Sequence, residues 1–175
     1  MKLPSTKVIG AGATGLSATA VALAWLFIPH WEGMDLVVKQ NSFDRPGVYT
    51  VCNGITNLDP EYKWIRPGMK FTPEKCEAAF RAVIPNYEKP IAKCIKDYYS
   101  LPPHRQIAFL SAAFNLGAGT ICKSTAVRKL NAGDTKGGCE ALGAFVKANG
   151  VKLKGLKNRR FDPKWGEIAW CLRED

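Results

Sequence analysis

The residues of this chain with the clearest potential for chemistry are two carboxylates and a hydroxyl near its N-terminus. Glu32 lies in the run 30–33. Asp44 comes just before a stretch rich in β-branched residues, and Thr50 lies within that stretch. Two carboxyl groups near a hairpin suit glycoside hydrolysis, in which one acid protonates the leaving oxygen and a second group handles water or the oxocarbenium charge. An isolated Glu beside a Trp is more often an interfacial or capping residue, so this pattern needs support from the rest of the chain.

The segment that precedes Glu32 carries no charge from Val8 to Ile28. It is long enough to cross a bilayer, which takes about 20 apolar residues, but it consists largely of Gly, Ala, Ser and Thr. Lys2 and Lys7 precede it, and the positive-inside rule then places the N-terminus in the cytoplasm and the rest outside. The composition favours a signal-anchor that can leave the bilayer. A cleaved signal peptide and a permanent anchor stay open as alternatives.

Length and charge suggest an appendage and one domain. We assign residues 1–29 to the membrane segment and 30–175 to the domain, which is large enough for a real core. The net charge is +10, from 25 Lys and Arg against 15 Asp and Glu. This balance favours polyanionic surroundings such as anionic lipid or cell-wall polymer. No dense basic run with interleaved aromatics occurs, so we expect no nucleic-acid partner, and we expect a monomer.

The cysteine pattern points to disulfides rather than to metal. Six cysteines are dispersed outside the apolar segment and none forms a CxxC pair, so we expect no structural zinc site. His30 and His104 add nothing to a metal site, and we expect no cofactor. An even number of cysteines after an export-like segment predicts disulfides in an oxidising compartment. Buried free thiols are the alternative.

Turn and capping residues predict a mostly helical body with a little β-structure. Residues 47–57 are rich in β-branched and aromatic residues around Asn53-Gly54 and predict a hairpin. Thr72-Pro73-Glu74 predicts a helix start, and we expect Pro85 to end that helix. Further helices are predicted over 89–99, 106–116 and 162–172. The segment 106–116 is apolar nearly all round, which predicts a buried central helix.

Three groups of motifs, in order along the chain, resemble phage-type lysozymes, the endolysins of glycoside hydrolase family 24. The motifs are Trp31-Glu32-Gly33 with Gly47–Gly54; Asn115–Gly119 with Ser124-Thr125 and Arg128–Asp134; and Lys154–Leu156 with Asn158–Arg160 and Cys171-Leu172. The resemblance covers nearly all of the chain after Pro29. It implies an α+β, mostly α, lysozyme-like fold with a small N-terminal β-hairpin region and a helical lobe.

The resemblance also implies roles for single residues. Glu32 would be the general acid, an Asp would position or activate water, and Thr50 would orient that water. Counting forward from Glu32 by the family spacing leads to Asn41, whereas counting back from Thr50 leads to Asp44. We choose Asp44 because an amide cannot accept a proton from water. Asp35 is the other carboxylate near the acid.

The N-terminal segment resembles the signal-anchor-release arm of membrane-tethered endolysins. It contains no Cys, so thiol exchange from within the arm is not available and refolding on release is the model that remains. For the six cysteines we expect the pairs Cys52–Cys76, Cys94–Cys122 and Cys139–Cys171, although six cysteines allow many other pairings.

Taken together, the sequence predicts an endolysin muramidase. It would hydrolyse the β-1,4 bond between N-acetylmuramic acid and N-acetylglucosamine in peptidoglycan. We expect it to be tethered to the inner membrane through residues 8–28, facing the periplasm, and then released as a soluble periplasmic enzyme. The alternatives are a domesticated host muramidase that opens the wall for a secretion apparatus, a non-catalytic wall-binding lysozyme scaffold, and a transglycosylase.

Overall fold

The computed structural model describes residues 15–40, 45–148 and 150–174. The α-helices in this part of the chain are α1 Ala18–Glu32, α2 Pro73–Cys94, α3 Pro103–Leu116, α4 Ala118–Cys122, α5 Thr125–Asn131, α6 Thr135–Glu140, α7 Lys154–Phe161 and α8 Glu167–Cys171. The strands are β1 Asp35–Lys39, β2 Thr50–Cys52, β3 Ile55–Thr56, β4 Lys147–Ala148 and β5 Val151–Lys152. The predicted α+β, mostly α, class is confirmed.

A small antiparallel sheet follows α1 and has the strand order β1-β2-β3. The predicted hairpin is confirmed: β2 pairs with β3, with Val51 opposite Ile55. Gly54 in the turn has φ of +82°, a left-handed conformation that glycine adopts without a steric penalty. Strand β1 was not predicted, and it pairs with β2 through Asp35 opposite Cys52. The sheet therefore begins almost directly after Glu32.

The long helix α2 corrects two predictions. We expected Pro85 to end one helix and a second to run over 89–99, but α2 continues through Pro85 and Pro90 to Cys94. A proline inside a helix costs about 3 kcal/mol or more. Here the helix buries an apolar face that includes Phe80, Val83, Ile84 and Ile91. Burial of such side chains contributes about 1.5–3 kcal/mol each, which is enough to hold the helix together across its prolines.

The core is built around α3, as the sequence predicted. All residues from Gln106 to Ala113 are buried, and α3 contacts α1, α2, α4 and α8. The helix starts earlier than expected, at Pro103, because Pro102-Pro103 supplies a favourable first turn rather than only a stop. Its C-terminal end reaches Leu116, close to the motif around Asn115.

Helix α1 contains the second half of the segment that we assigned to the membrane. Ser17 caps it by accepting the backbone N–H of Ala20 at 3.1 Å. Ala20, Ala24, Phe27 and Ile28 are buried in the core. The first part of the assigned segment, up to residue 14, lies outside the described residues. Among the helices of the described ranges, none has both the length and the apolarity to cross a membrane.

Three disulfides join the elements, and they are the three pairs expected from the sequence. Cys52–Cys76 links the sheet to α2, Cys94–Cys122 links α2 to α4, and Cys139–Cys171 links α6 to α8. Each bridge therefore connects elements that are distant along the chain.

The last helix is shorter than predicted. We expected it to begin near residue 162, but α8 covers only Glu167–Cys171. The Asp162 carboxylate instead accepts the backbone N–H groups of Lys164 and Trp165, at 2.9 and 2.7 Å. These bonds hold the preceding residues in a turn, because an Asp side chain can replace the helical pattern of hydrogen bonds.

Candidate active site

Glu32 is the last residue of α1, at the junction between the helical body and the sheet. Gly33 ends the helix with φ of +71°, and its N–H donates to the carbonyl of Pro29 at 3.0 Å. The indole N–H of Trp31 donates to the carbonyl of Trp165 at 2.9 Å. The end of α1 is thus fixed on both sides of Glu32, and the direction of the acid side chain is set by the packing of the helix.

The two carboxylate oxygens of Glu32 have different surroundings. Oε1 accepts a hydrogen bond from Nη1 of Arg159, and the Glu32 side chain is 19% exposed. Oε2 faces the hairpin turn: a Cβ atom built on Gly54 would lie 3.3 Å from it. Asn53, in the same turn, donates through Nδ2 to the carbonyl of Gly33. The turn therefore lies directly against the acid.

Arg159 holds Glu32 from within a buried polar network. Its Nε donates to Oε1 of Glu167 at 3.0 Å, and its Nη2 donates to the carbonyl and the hydroxyl of Ser111 at 3.1 and 2.9 Å. Glu167 is fully buried and also accepts the Ser111 hydroxyl at 2.7 Å. Although burial alone would lower the pKa of Arg159, the carboxylates of Glu32 and Glu167 raise it. The guanidinium is therefore a permanent cation beside the acid.

Arg160 completes the network on the other side of Glu167. Its Nη1 donates to Oε2 of Glu167, its Nη2 donates to Oδ1 of Asn115 at 2.6 Å, and its Nε donates to the carbonyl of Phe145 at 3.2 Å. Burial lowers the pKa of Arg160, against the opposing effect of Glu167, but an arginine stays protonated in proteins. Glu167 is thus shared by two arginines, of which Arg159 also holds Glu32.

A cleft of about 360 Å³ opens in front of the acid. It is lined by Trp31, Glu32, Asn115, Leu153, Gly155, Leu156, Asn158 and Arg159. Its size is within the range of ligand pockets, which is about 300–1,000 Å³. Amide side chains, an aromatic ring and a carboxyl group together suit a polar ligand with flat apolar faces, such as a sugar.

The structure describes some of the predicted site residues and not others. Thr50 is buried at the start of β2 and lies opposite Lys39 of β1. Asp35 forms an ion pair with Lys39 at 2.7 Å, with both side chains about half exposed. Asp44 and Asn41 lie outside the described residues. The identity of the second carboxylate therefore stays a prediction.

The sequence reasoning missed the polar network as a unit. Arg159 and Arg160 entered only as part of a family motif, and Ser111 and Glu167 did not enter at all. A signal was present: two adjacent arginines are followed by Glu167, the one charged residue of the stretch 165–171, and buried cations need carboxylate partners. Among the described residues, no group of three or more His, Cys, Asp and Glu side chains could hold a metal ion.

An acid at the end of a core helix, a small sheet beside it and a cleft in front of it, lined by residues of α1, α3 and α7, are the features of a lysozyme-like glycosidase. The family model for phage lysozymes matches residues 29–162. The chain is 34% identical over 158 residues to a SAR-endolysin of Enterobacteria phage P21, covering 90% of this chain and 92% of that one. It is 37% identical over 146 residues to a SAR-endolysin of Escherichia phage 933W, covering 78% and 79%.

A solved structure agrees with these relatives. The endolysin from the Escherichia coli O157:H7 phage FAHEc1 superimposes with a TM-score of 0.73, with 27% sequence identity, over 92% of this chain and 95% of that chain. The chain therefore belongs to the phage lysozyme family, and it is a muramidase, a glycoside hydrolase of the cell wall.

Proposed function

We propose that this muramidase cleaves the β-1,4 bond between N-acetylmuramic acid and N-acetylglucosamine, with Glu32 as the general acid. The observation that carries the proposal is the placement of Glu32 in the cleft, on the end of a core helix and against a buried Arg159. A glycosidic oxygen needs a proton as it leaves, and a positioned carboxylic acid supplies it.

The two carboxyl oxygens of Glu32 have different roles. Oε1 is held by Arg159, so Oε2 is the oxygen that carries the proton toward the leaving group. When the proton moves, negative charge develops on the carboxylate beside a permanent guanidinium cation. A preorganised charge of this kind stabilises a developing charge without reorganisation. Arg159 acts through Glu32 and is a positioning residue.

For the second half of the reaction we propose Asp44 and Thr50. Thr50 pairs with Lys39 of β1. Asp44 lies between these two residues in the sequence, and its carboxylate is a chemically suitable group to activate or position water. Thr50 would orient the same water. Asn41, in the same stretch of sequence, has an amide that cannot take a proton from water.

We also propose that the enzyme is first tethered to the inner membrane and later released to the periplasm. The named SAR-endolysin relatives support this, as does the dual character of α1. Its small and apolar residues, including Ala20, Ala24 and Phe27, are buried in the core, yet they are equally acceptable to lipid. While the segment remains in a bilayer, Glu32 is not at the end of a docked helix.

The hydrolase mechanism is tested by the clearing of purified peptidoglycan. Glu32→Gln removes the transferable proton and we expect at least about a 100-fold loss of rate. Glu140→Gln, an exposed carboxylate, is the matched control and should clear normally. Full clearing by Glu32→Gln would contradict the assignment.

Asp44→Asn and Asn41→Asp separate the two candidates for the second position, because only a change at the true water-handling residue alters the rate strongly.

The tether is tested by fractionation of cells that make the full chain. We expect membrane-bound protein first and soluble periplasmic protein later, with the N-terminus intact in both fractions. A soluble species that begins after Ala24, with no intact form, would identify a cleaved signal peptide instead.

A further inference from the structure

A buried carboxyl group that does not line the cleft contacts the N-terminal arm. Glu88 of α2 is fully buried, and its Oε1 accepts the backbone N–H of Gly15 at 2.9 Å. Its Oε2 has no hydrogen-bond partner within the described part of the chain. A polar group in the interior is costly unless it is hydrogen-bonded. The N–H of Gly15 is therefore an important partner for a buried carboxyl group that the muramidase chemistry does not use.

A side chain at position 15, next to Glu88, would meet the ring of Tyr99. A Cβ atom built on Gly15 would lie 2.4 Å from Cζ of Tyr99, 2.5 Å from Cε1 and 2.8 Å from Cε2. The ring of Tyr99 thus occupies the space that a side chain would need, and a substitution at position 15 has to displace this ring, which is 47% exposed. Burial and the neighbouring Glu88 raise the pKa of Tyr99 to about 12, in agreement with a ring that packs beside a carboxylate.

The docked turn leads directly into α1. Leu16 is buried after Gly15, and Ser17 then caps the helix through its bond from the N–H of Ala20. The helix ends at Glu32. Binding of Gly15 at one end of α1 therefore constrains the element that carries the catalytic acid at its other end.

We infer that Glu88 and Tyr99 form an intramolecular receptor for the arm, which recognises the backbone amide and the bare Cα of Gly15. An occupied receptor anchors α1 in the core and thereby holds Glu32 in the cleft. The docking itself is independent of any membrane step. Its use as the capture step after release rests on the proposed tether-and-release function.

The test uses hydrogen exchange of the soluble full-length protein, read over residues 15–32. Gly15→Ala places a methyl group against Tyr99, and we expect exchange in this segment to rise at least about tenfold as local opening becomes easier. Gly119→Ala is the matched control, because nothing lies within 4 Å of a Cβ atom at that position, and it should exchange like the wild type. Exchange of α3 in the same samples verifies that each variant is folded.

A double variant separates recognition from general damage. Tyr99→Ala removes the ring that a side chain at position 15 would have to displace, so Gly15→Ala should have little further effect in the Tyr99→Ala background. Independent, additive effects of the two substitutions would overturn the receptor, and so would wild-type exchange of Gly15→Ala. Glu88→Gln keeps an acceptor oxygen, so its hydrogen exchange over residues 15–32 should stay closer to that of the wild type than the exchange of Glu88→Leu. Equal exchange of the Gln and Leu variants would also overturn it.

The outcome is independent of the proposed function. Each measurement can be repeated in the Glu32→Gln background, where no hydrolysis is required, and in protein that never meets a membrane. Failure of peptidoglycan clearing or of the tether leaves the exchange result intact. If the receptor holds and the chain is tethered first, Gly15→Ala should also lower the fraction of released protein that is active, whereas Gly119→Ala should not.

Discussion

At the scale of single residues, the site depends on a cation that is itself held by other residues. Arg159 contacts Glu32, Glu167 and Ser111 at once. Such a network is stable only when each member is satisfied, since a charge left alone in the interior is heavily penalised. Substitutions in it should therefore affect stability and activity together.

Arg159→Leu tests this dependence. The substitution removes one of the two arginines that contact Glu167. It should lower the free energy of unfolding by about 3–5 kcal/mol. Chemical denaturation measures this, and the turnover rate on peptidoglycan should fall in the fraction that remains folded. Arg81→Leu is the control, because its ion pair with Glu77 is nearly half exposed and such pairs contribute about 0–1 kcal/mol. Equal losses for the two variants would contradict the role of the network.

Asp59 predicts a pH dependence of stability. Burial raises its pKa above the ordinary 3.8, although hydrogen bonds from Thr56 and Tyr87 oppose this. The folded protein then keeps a proton that the unfolded chain has lost, so this group's contribution to stability falls as the pH rises from 3.8 through the raised pKa.

Asp59→Asn removes that titration. The Tm of the variant minus the Tm of the wild type should become more positive as the pH rises from below 3.8 to neutrality. Thermal unfolding over this range measures the difference. A constant difference across the range would show that the Asp59 carboxyl titrates alike in both states.

At the scale of elements, α1 transmits core packing to the acid. Phe27 is fully buried, and its ring centroid lies 4.2 Å from that of Trp170. Phe27→Ala should lower the free energy of unfolding by about 3–5 kcal/mol and should reduce activity, because the end of α1 loses its anchor near Glu32. Leu26→Ala changes the next side chain, which is 54% exposed, and should do neither. Denaturation and peptidoglycan clearing measure both effects.

The elements also show what could be predicted from sequence. The hairpin and α3 were predicted because their signals are local: β-branched residues around Asn53-Gly54, and an apolar run that must be buried. The continuity of α2 through Pro85 was not, because packing of its distant apolar face decides it. Glu32 and Thr50 were nominated by motif, whereas the partners of Arg159 come from three separate helices and no local pattern joins them.

At the scale of the whole molecule, the disulfides tie the elements that frame the site. Cys139–Cys171 joins α6 to α8, and α8 carries Glu167. Replacement of both cysteines by Ala should lower the free energy of unfolding by about 2–5 kcal/mol. Denaturation under oxidising conditions measures this. Under reducing conditions the free energy of unfolding of the wild type should approach that of the variant. A difference between the two that persists after full reduction would mean that packing of the new Ala residues is responsible.

The burial of α1 has a further consequence for the enzyme in a sample that contains lipid. On the proposed release model, the same helix partitions between two solvents, the bilayer and the protein's own interior, and only the second gives a working site. Lipid vesicles added to the soluble enzyme would then act as inhibitors without entering the cleft, by drawing the helix out of the core. The apparent specific activity would report a partition coefficient as well as a rate of bond cleavage.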